Sequence, residues 1–166
     1  MTTTPPTTYF ADWTPSTRLW CYVASRDLDP KEAAFAKTYL DDFTRGWGSH
    51  GRDLAARSTV LYDRVLVLGV DQAMAGASGC SIDASVRAVR ELGQRLDVDF
   101  FDRMTFLVPD GEGGVHAYSR EDFAEAYARG DLDDATPVVD TLVADVAAAR
   151  LAFVKPLGRS WHARMV

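Results

Sequence analysis

Val65-Leu66-Val67-Leu68-Gly69-Val70 is the stretch on which the fold turns. It carries no charge and no proline, and Val and Leu at even and odd positions make both faces apolar. Such a run predicts a central strand covered on two sides. Just before it, Arg57–Tyr62 carries a second strand pattern, and the polar break at Asp63 predicts a hairpin. After it comes the loop Asp71–Gly79, then a helix near Ile82–Leu96. On that helix Ile82, Val86, Val89, Gly93 and Leu96 recur at helical spacing and are expected to form the buried stripe. Gly93 would allow close approach to a sheet.

Working outward, Arg18–Ala24 reads as a strand, and Asp29-Pro30-Lys31-Glu32 as a helix start. Asp29 can cap, Pro30 suits the first helical position and Glu32 completes a capping box. Ala33, Ala36, Leu40, Phe43 and Trp47 follow on one face. Beyond residue 100, Met104–Val108 and Val115–Tyr118 predict a second hairpin around Pro109–Gly114. A short helix capped by Ser119 ends at Gly130, Pro137–Val139 reads as an edge strand, and Leu142–Phe153 as an Ala-rich helix. Hairpins rather than regular βαβ alternation predict an α+β fold. The expectation is a single domain, residues 17–166, with a mostly antiparallel or mixed sheet of about five or six strands and four helices packed against it. Residues 1–16, rich in Thr and Pro, are expected to form a disordered arm whose end is pinned by Tyr9, Phe10 and Trp13.

At 166 residues the chain suits one domain that needs neither disulfide nor metal to fold. A net charge of −6 argues against general binding to nucleic acid or to an anionic membrane. No apolar run approaches the roughly 18–20 residues of a membrane helix, and the Thr- and Pro-rich start does not resemble a secretory signal. Cys21 and Cys80 form no metal-type pair, so two free thiols in a cytoplasmic protein are expected.

Gly76-Ala77-Ser78-Gly79-Cys80-Ser81-Ile82-Asp83 reads as a built site. Small residues let the backbone approach a ligand, Ser81 can cap the helix, and a helix start favours an anion or a thiolate. Ser78, Gly79 and Ser81 are therefore ligand-binding candidates, and Cys80 the candidate nucleophile. Asp83, placed by this reading in the first turn, competes with any bound anion. His50, in a Gly-rich turn, and His162, in Ser160-Trp161-His162, are the imidazoles that can orient or deprotonate a thiol. Arg87 and Arg103 suit a small anionic ligand. Asp83 and Arg87 can equally belong to a solvent-facing ladder with Arg90 and Gln94, and Asp102 with Arg103 can be a local ion pair.

The loop is no phosphate-binding motif of a nucleotide enzyme: GxxxxGK[ST], GxGxxG and GxSxG are all absent. Three readings follow. The first is a small cytoplasmic enzyme or ligand-binding protein using Cys80 with His50 or His162. The second is a non-catalytic interaction module, homodimeric or binding another protein, anchored on Trp47 and Trp161. The third is a metal-dependent hydrolase using Asp71, Asp83 and Asp102 as hard oxygen ligands.

Together, Trp47–Gly51, Ala75–Arg87, Phe101–Met104 and Ser160–His162 resemble a family of short, uncharacterised bacterial proteins, some of which carry the label ABC transporter ATPase. The resemblance spans roughly Arg18 to Met165, with Ala75–Arg87 its most specific piece. Neither a Walker A lysine nor an LSGGQ-type signature accompanies that label here. What the resemblance implies is one constellation of His50, Cys80, Asp83, Arg87, Asp102, Arg103 and His162.

Overall fold

The structure, a computed structural model, describes residues 10–49, 52–72 and 76–166. The first half runs β1 (Thr17–Val23), α1 (Pro30–Arg45), β2 (Gly48–Ser49), β3 (Arg52–Asp53), β4 (Ala56–Leu61), β5 (Val65–Asp71) and α2 (Gly79–Leu96). The second runs β6 (Thr105–Pro109), β7 (Val115–Ser119), α3 (Arg120–Ala128), β8 (Pro137–Val139), α4 (Val146–Ala152) and β9 (Val154–Pro156). Two 3-10 turns follow, Leu157–Arg159 and Trp161–Met165.

β5 is the middle strand of an antiparallel sheet, with β1 on one side and β4 on the other. Its two faces enter different cores. Val65 and Val67 pack with Leu19, Val146, Ala149 and Phe153. Leu66, Leu68 and Val70 pack with Ala36, Leu40, Val89 and Leu92. Thus α1 and α2 cover one face, and α4 covers the other. A run apolar on both faces is usual in parallel sheets, and here the double cover produces it in an antiparallel one. The hairpin between β4 and β5 turns where Tyr62 and Asp63 both take positive φ, 57° and 51°, with Arg64 N–H on the Leu61 carbonyl at 3.0 Å. Two such residues give the tight turn whose twist matches paired strands.

Four α-helices are present among the described residues, as expected, but the single sheet of five or six strands is not formed. The three-stranded sheet stands beside three two-stranded ribbons, β2–β3, β6–β7 and β8–β9. Packing explains the division. Phe106 and Val108 of β6 build a third core with Phe123 of α3 and Val138 of β8. The second hairpin thereby buries one side in this third core, while Leu107 on its other side joins the core of Val65 and Val67, and the hairpin does not extend the first sheet. The outer edge of β1 is met instead by residues 144–145, through Leu19 N–H on the Ala144 carbonyl at 2.9 Å and a bridge from Arg18 to Asp145.

The chain is already part of the body at Phe10. Phe10 is fully buried, edge-on to Trp13 at 5.3 Å and to Phe153 at 5.6 Å. Arg150 donates to the carbonyls of Phe10 (3.0 Å) and Trp13 (2.5 Å), while Arg57 lies over the Trp13 ring and donates to the Asp12 carbonyl. Trp13 rests on the backbone of β5: a Cβ at Gly69 would fall 2.5 Å from its ring. Residues 10–16 of the expected arm are therefore docked, and residues 1–9 with Tyr9 lie outside the described residues. Among the described residues, no helix is long and apolar enough to cross a membrane.

Candidate functional site

The helix carrying the expected site begins earlier than the sequence suggests. Ser78, not Ser81, is the cap: its Oγ accepts the amide of Ser81 at 3.2 Å, and the Ser81 Oγ accepts the amide of Ser78 at 2.7 Å. Serine thus fills both positions of a capping box, where Glu or Gln is usual at the second. Starting α2 at Gly79 moves every later residue inward along the helix. Cys80 lies within the first turn, and no acidic residue does, so Asp83 stands beyond it. The competition expected from Asp83 is weaker for that reason, since the helix-end field falls off within one turn.

The buried face also differs from the expected stripe. Ser81, Ser85, Ala88, Val89, Leu92 and Gly93 face inward, and Ile82, Val86 and Leu96 are only half-buried. Ser81 and Ser85 go inside because their hydroxyls are satisfied by the backbone, on the carbonyls of Ser78 (2.8 Å) and Ile82 (2.6 Å). Gly93 serves the helix end rather than the sheet: a Cβ there would meet the Val98 carbonyl at 2.6 Å.

Trp47 builds the wall opposite α2. Its ring is buried, tilted on Phe43 at 5.1 Å and edge-on to Trp20 at 6.0 Å. Its Nε1 donates to the Ser81 carbonyl at 2.8 Å, which ties the end of α1 to the start of α2. Between them lies a cleft of about 350 Å³, lined by Phe43, Trp47, Gly48, Ser78, Cys80 and Ala84. The Cys80 side chain is exposed there. Ile82 N–H returns to the Ser78 carbonyl at 2.9 Å and Ser81 N–H to the Ser78 hydroxyl. Gly79 and Cys80 are the first two residues of the helix, and a helix leaves its first amides without an intrahelical partner. The sequence reading missed Trp47 as a cleft wall. A tryptophan just past a helix end must bury its ring and still find an acceptor for its N–H, and that requirement was the available signal.

The other expected residues are placed elsewhere. Asp83 and Arg87 are exposed on α2, and no salt bridge among the described residues involves either. Asp102 holds the start of β6, accepting the Met104 amide at 2.8 Å and the Thr105 hydroxyl at 2.5 Å, while Arg103 is exposed. The ion pair expected between these two is replaced by those backbone and hydroxyl contacts. Asp71 accepts the Ser16 hydroxyl at 2.8 Å. No three His, Cys, Asp or Glu side chains converge to hold a metal ion among the described residues, so Asp71, Asp83 and Asp102 do not form the ligand set of the hydrolase reading.

His50 lies outside the described residues. His162 is buried in the third core rather than on the Cys80 cleft. Its ring stacks on Trp161 at 3.7 Å and meets Phe106 and Phe123 at 5.4 and 5.9 Å. Its Nδ1 shares a 2.6 Å hydrogen bond with Ser160 Oγ. Burial brings its pKa down to about 4, with Asp140 opposing and Lys155 assisting. Trp161 donates from Nε1 to Asp140 at 2.9 Å, and Lys155 Nζ reaches the other Asp140 oxygen at 2.5 Å. Of the two tryptophans named as interaction anchors, Trp47 is buried and Trp161 half-buried.

Comparison with protein-family models, with curated proteins and with solved structures finds no match.

Proposed function

We propose that this chain is a small thiol-dependent protein, an enzyme or a covalent ligand-binding protein, whose working group is Cys80 in the cleft at the start of α2. One observation carries the reading: an exposed thiol in the first helical turn lines a cleft at a helix start, where the first amides are left without an intrahelical partner. Amides at a helix start hold negative charge, so the fitting ligand is small and anionic, with an apolar part against Phe43 and Trp47. His50 is the imidazole this reading retains, because His162 is enclosed with Ser160. Free Cys21 and Cys80 agree with a cytoplasmic setting. Cys21 makes the internal control, since burial and Asp140 push its thiol up to about 12.

Alkylation tests it. Iodoacetate and iodoacetamide differ in charge but attack the same sulfur, and peptide mass spectrometry reads Cys80 and Cys21 separately. Relative to free glutathione, Cys80 is expected to favour the anionic reagent several-fold, and His50→Ala to slow both reagents. A Cys80 slower than glutathione with both, or without preference for iodoacetate, would overturn the proposal.

A further inference from the structure

Arg87 and Arg103, which do not line the Cys80 cleft, adjoin a strip of arginines and aromatic rings between β1 and α2. Arg18, Trp20 and Tyr22 alternate along β1, so they share one face of the strand, and all three are half-buried. The Arg18 guanidinium lies over the Trp20 ring at 4.7 Å. Tyr22 meets Phe101 edge-on at 5.6 Å, and Arg90 of α2 lies over the Phe101 ring at 5.3 Å. Arg87 is the neighbour of Arg90 one helical turn back, and Arg103 follows Phe101 by two residues; both are exposed. With alternate strand residues about 7 Å apart, the strip from Arg18 to Arg90 is on the order of 20 Å long.

Among the described residues, no salt bridge involves Arg18, Arg87, Arg90 or Arg103. The nearby carboxylates are mostly committed elsewhere. Asp102 accepts the Met104 amide and the Thr105 hydroxyl, and Asp145, bridged to Arg18 through the backbone, caps α4 on the Ala148 amide. Glu91 is held by Tyr39 and Arg95. Asp83, exposed one turn before Arg87, screens that arginine alone, so Arg18 and Arg90 carry the strip. A guanidinium lying over a ring keeps its N–H edge free to fork onto a carboxylate.

We infer that this strip binds an extended acidic peptide segment of another protein, its carboxylates on Arg18 and Arg90 and its length along Trp20 and Tyr22. An extended chain repeats its side chains on one face at the pitch of Arg18, Trp20 and Tyr22, so acidic residues at alternate positions reach both ends of the strip. A small dicarboxylate is too short to do so. A nucleic acid would need the ring faces that the two arginines cover, and its length would carry it onto a protein of net charge −6. Arginine and aromatic side chains are also the groups in which protein interfaces are enriched. The inference does not depend on Cys80, which lines the cleft at the start of α2.

Fluorescence anisotropy tests it, using the full chain and a fluorescein-labelled peptide alternating Glu and Ser over about ten residues. A Lys–Ser peptide and an oligothymidylate of the same length are the comparison probes. The expected result is saturable binding of the acidic peptide with Kd below about 1 mM, tighter than either comparison probe and weakened by added salt. Arg18→Gln and Arg90→Gln should each weaken it about threefold or more. Arg120→Gln, at the exposed start of α3, and Cys80→Ser should leave it unchanged. Arg18 also covers Trp20, so the exposed Arg90 is the deciding variant. No saturable binding by about 1 mM, a comparison probe bound as tightly, or a Kd unmoved by Arg90→Gln would overturn the inference.

Discussion

The cleft at the start of α2 and the surroundings of His162 are built from the same kinds of residue and end in opposite states. Each joins a tryptophan, a serine acting as a cap and a chemically versatile side chain, Cys80 in one and His162 in the other. Around His162 the polar groups close on one another: Ser160 on the imidazole, Trp161 and Lys155 on Asp140. At α2 Trp47 bonds the Ser81 carbonyl and the two serines cap each other, while the thiol of Cys80 is left exposed. Sequence composition does not separate a site from a core; where the hydrogen bonds terminate does.

The comparison breaks most readily at the aromatic packing. Phe123→Ala removes a fully buried ring that touches His162, Phe106 and Tyr118. It is expected to cost about 3–5 kcal/mol in urea unfolding; a loss below about 1 kcal/mol would mean the surroundings of His162 are loosely packed.

Acid probes the same region without a mutation. The folded pKa of His162, about 4, lies below its ordinary value of 6.5. Between those values the unfolded chain binds a proton that the folded chain does not, so stability is complete above about pH 6.5 and is lost as pH falls toward 4. The loss approaches about 3 kcal/mol. Burial works to raise Asp140, but hydrogen bonds from Lys155, Trp161 and the Leu142 amide outweigh it and hold the carboxyl below the usual range. Its share is therefore lost only at lower pH. Urea midpoints from pH 7 to 4.5 should fall steeply in the parent and more gently in His162→Gln; parallel curves would remove His162 as the cause.

At α2 the expected effects are smaller. Ser78→Ala removes the cap and should cost about 1 kcal/mol, together with part of the iodoacetate preference of Cys80, read from the same alkylation rates. Cys80→Ser should change stability by less than about 0.5 kcal/mol. A larger loss, measured by thermal unfolding, would show that the thiol is a packing group after all.

Much of the architecture was legible. Val65–Val70 gave the central strand, Asp29-Pro30-Lys31-Glu32 the start of α1, and the polar break at Asp63 the first hairpin. The division of the sheet was not, because it depends on Phe106 choosing Phe123 and Val138 over a neighbouring strand, a contact that no local pattern encodes. The start of α2 was misread by three residues because Ser78 and Ser81 are equally good caps in isolation, and the Trp47 bond to the Ser81 carbonyl accompanies the earlier one. Cys80 could be read as lying at a helix start, but the cleft facing it could not, since its far wall comes from residues more than thirty positions away.

The edge-to-face pair of Phe10 and Phe153 separates the assembly of the two faces of β5 in time during translation. Among the described residues, the buried ones on the α1–α2 side all lie between Ala24 and Phe100, so that face can close while the ribosome is still making the rest. The opposite core needs Val139, Val146, Ala149 and Phe153, and until they emerge Val65 and Val67 have only part of their cover. For that interval the nascent chain is a half-closed sandwich with one greasy side turned to water, the form a chaperone is best suited to hold.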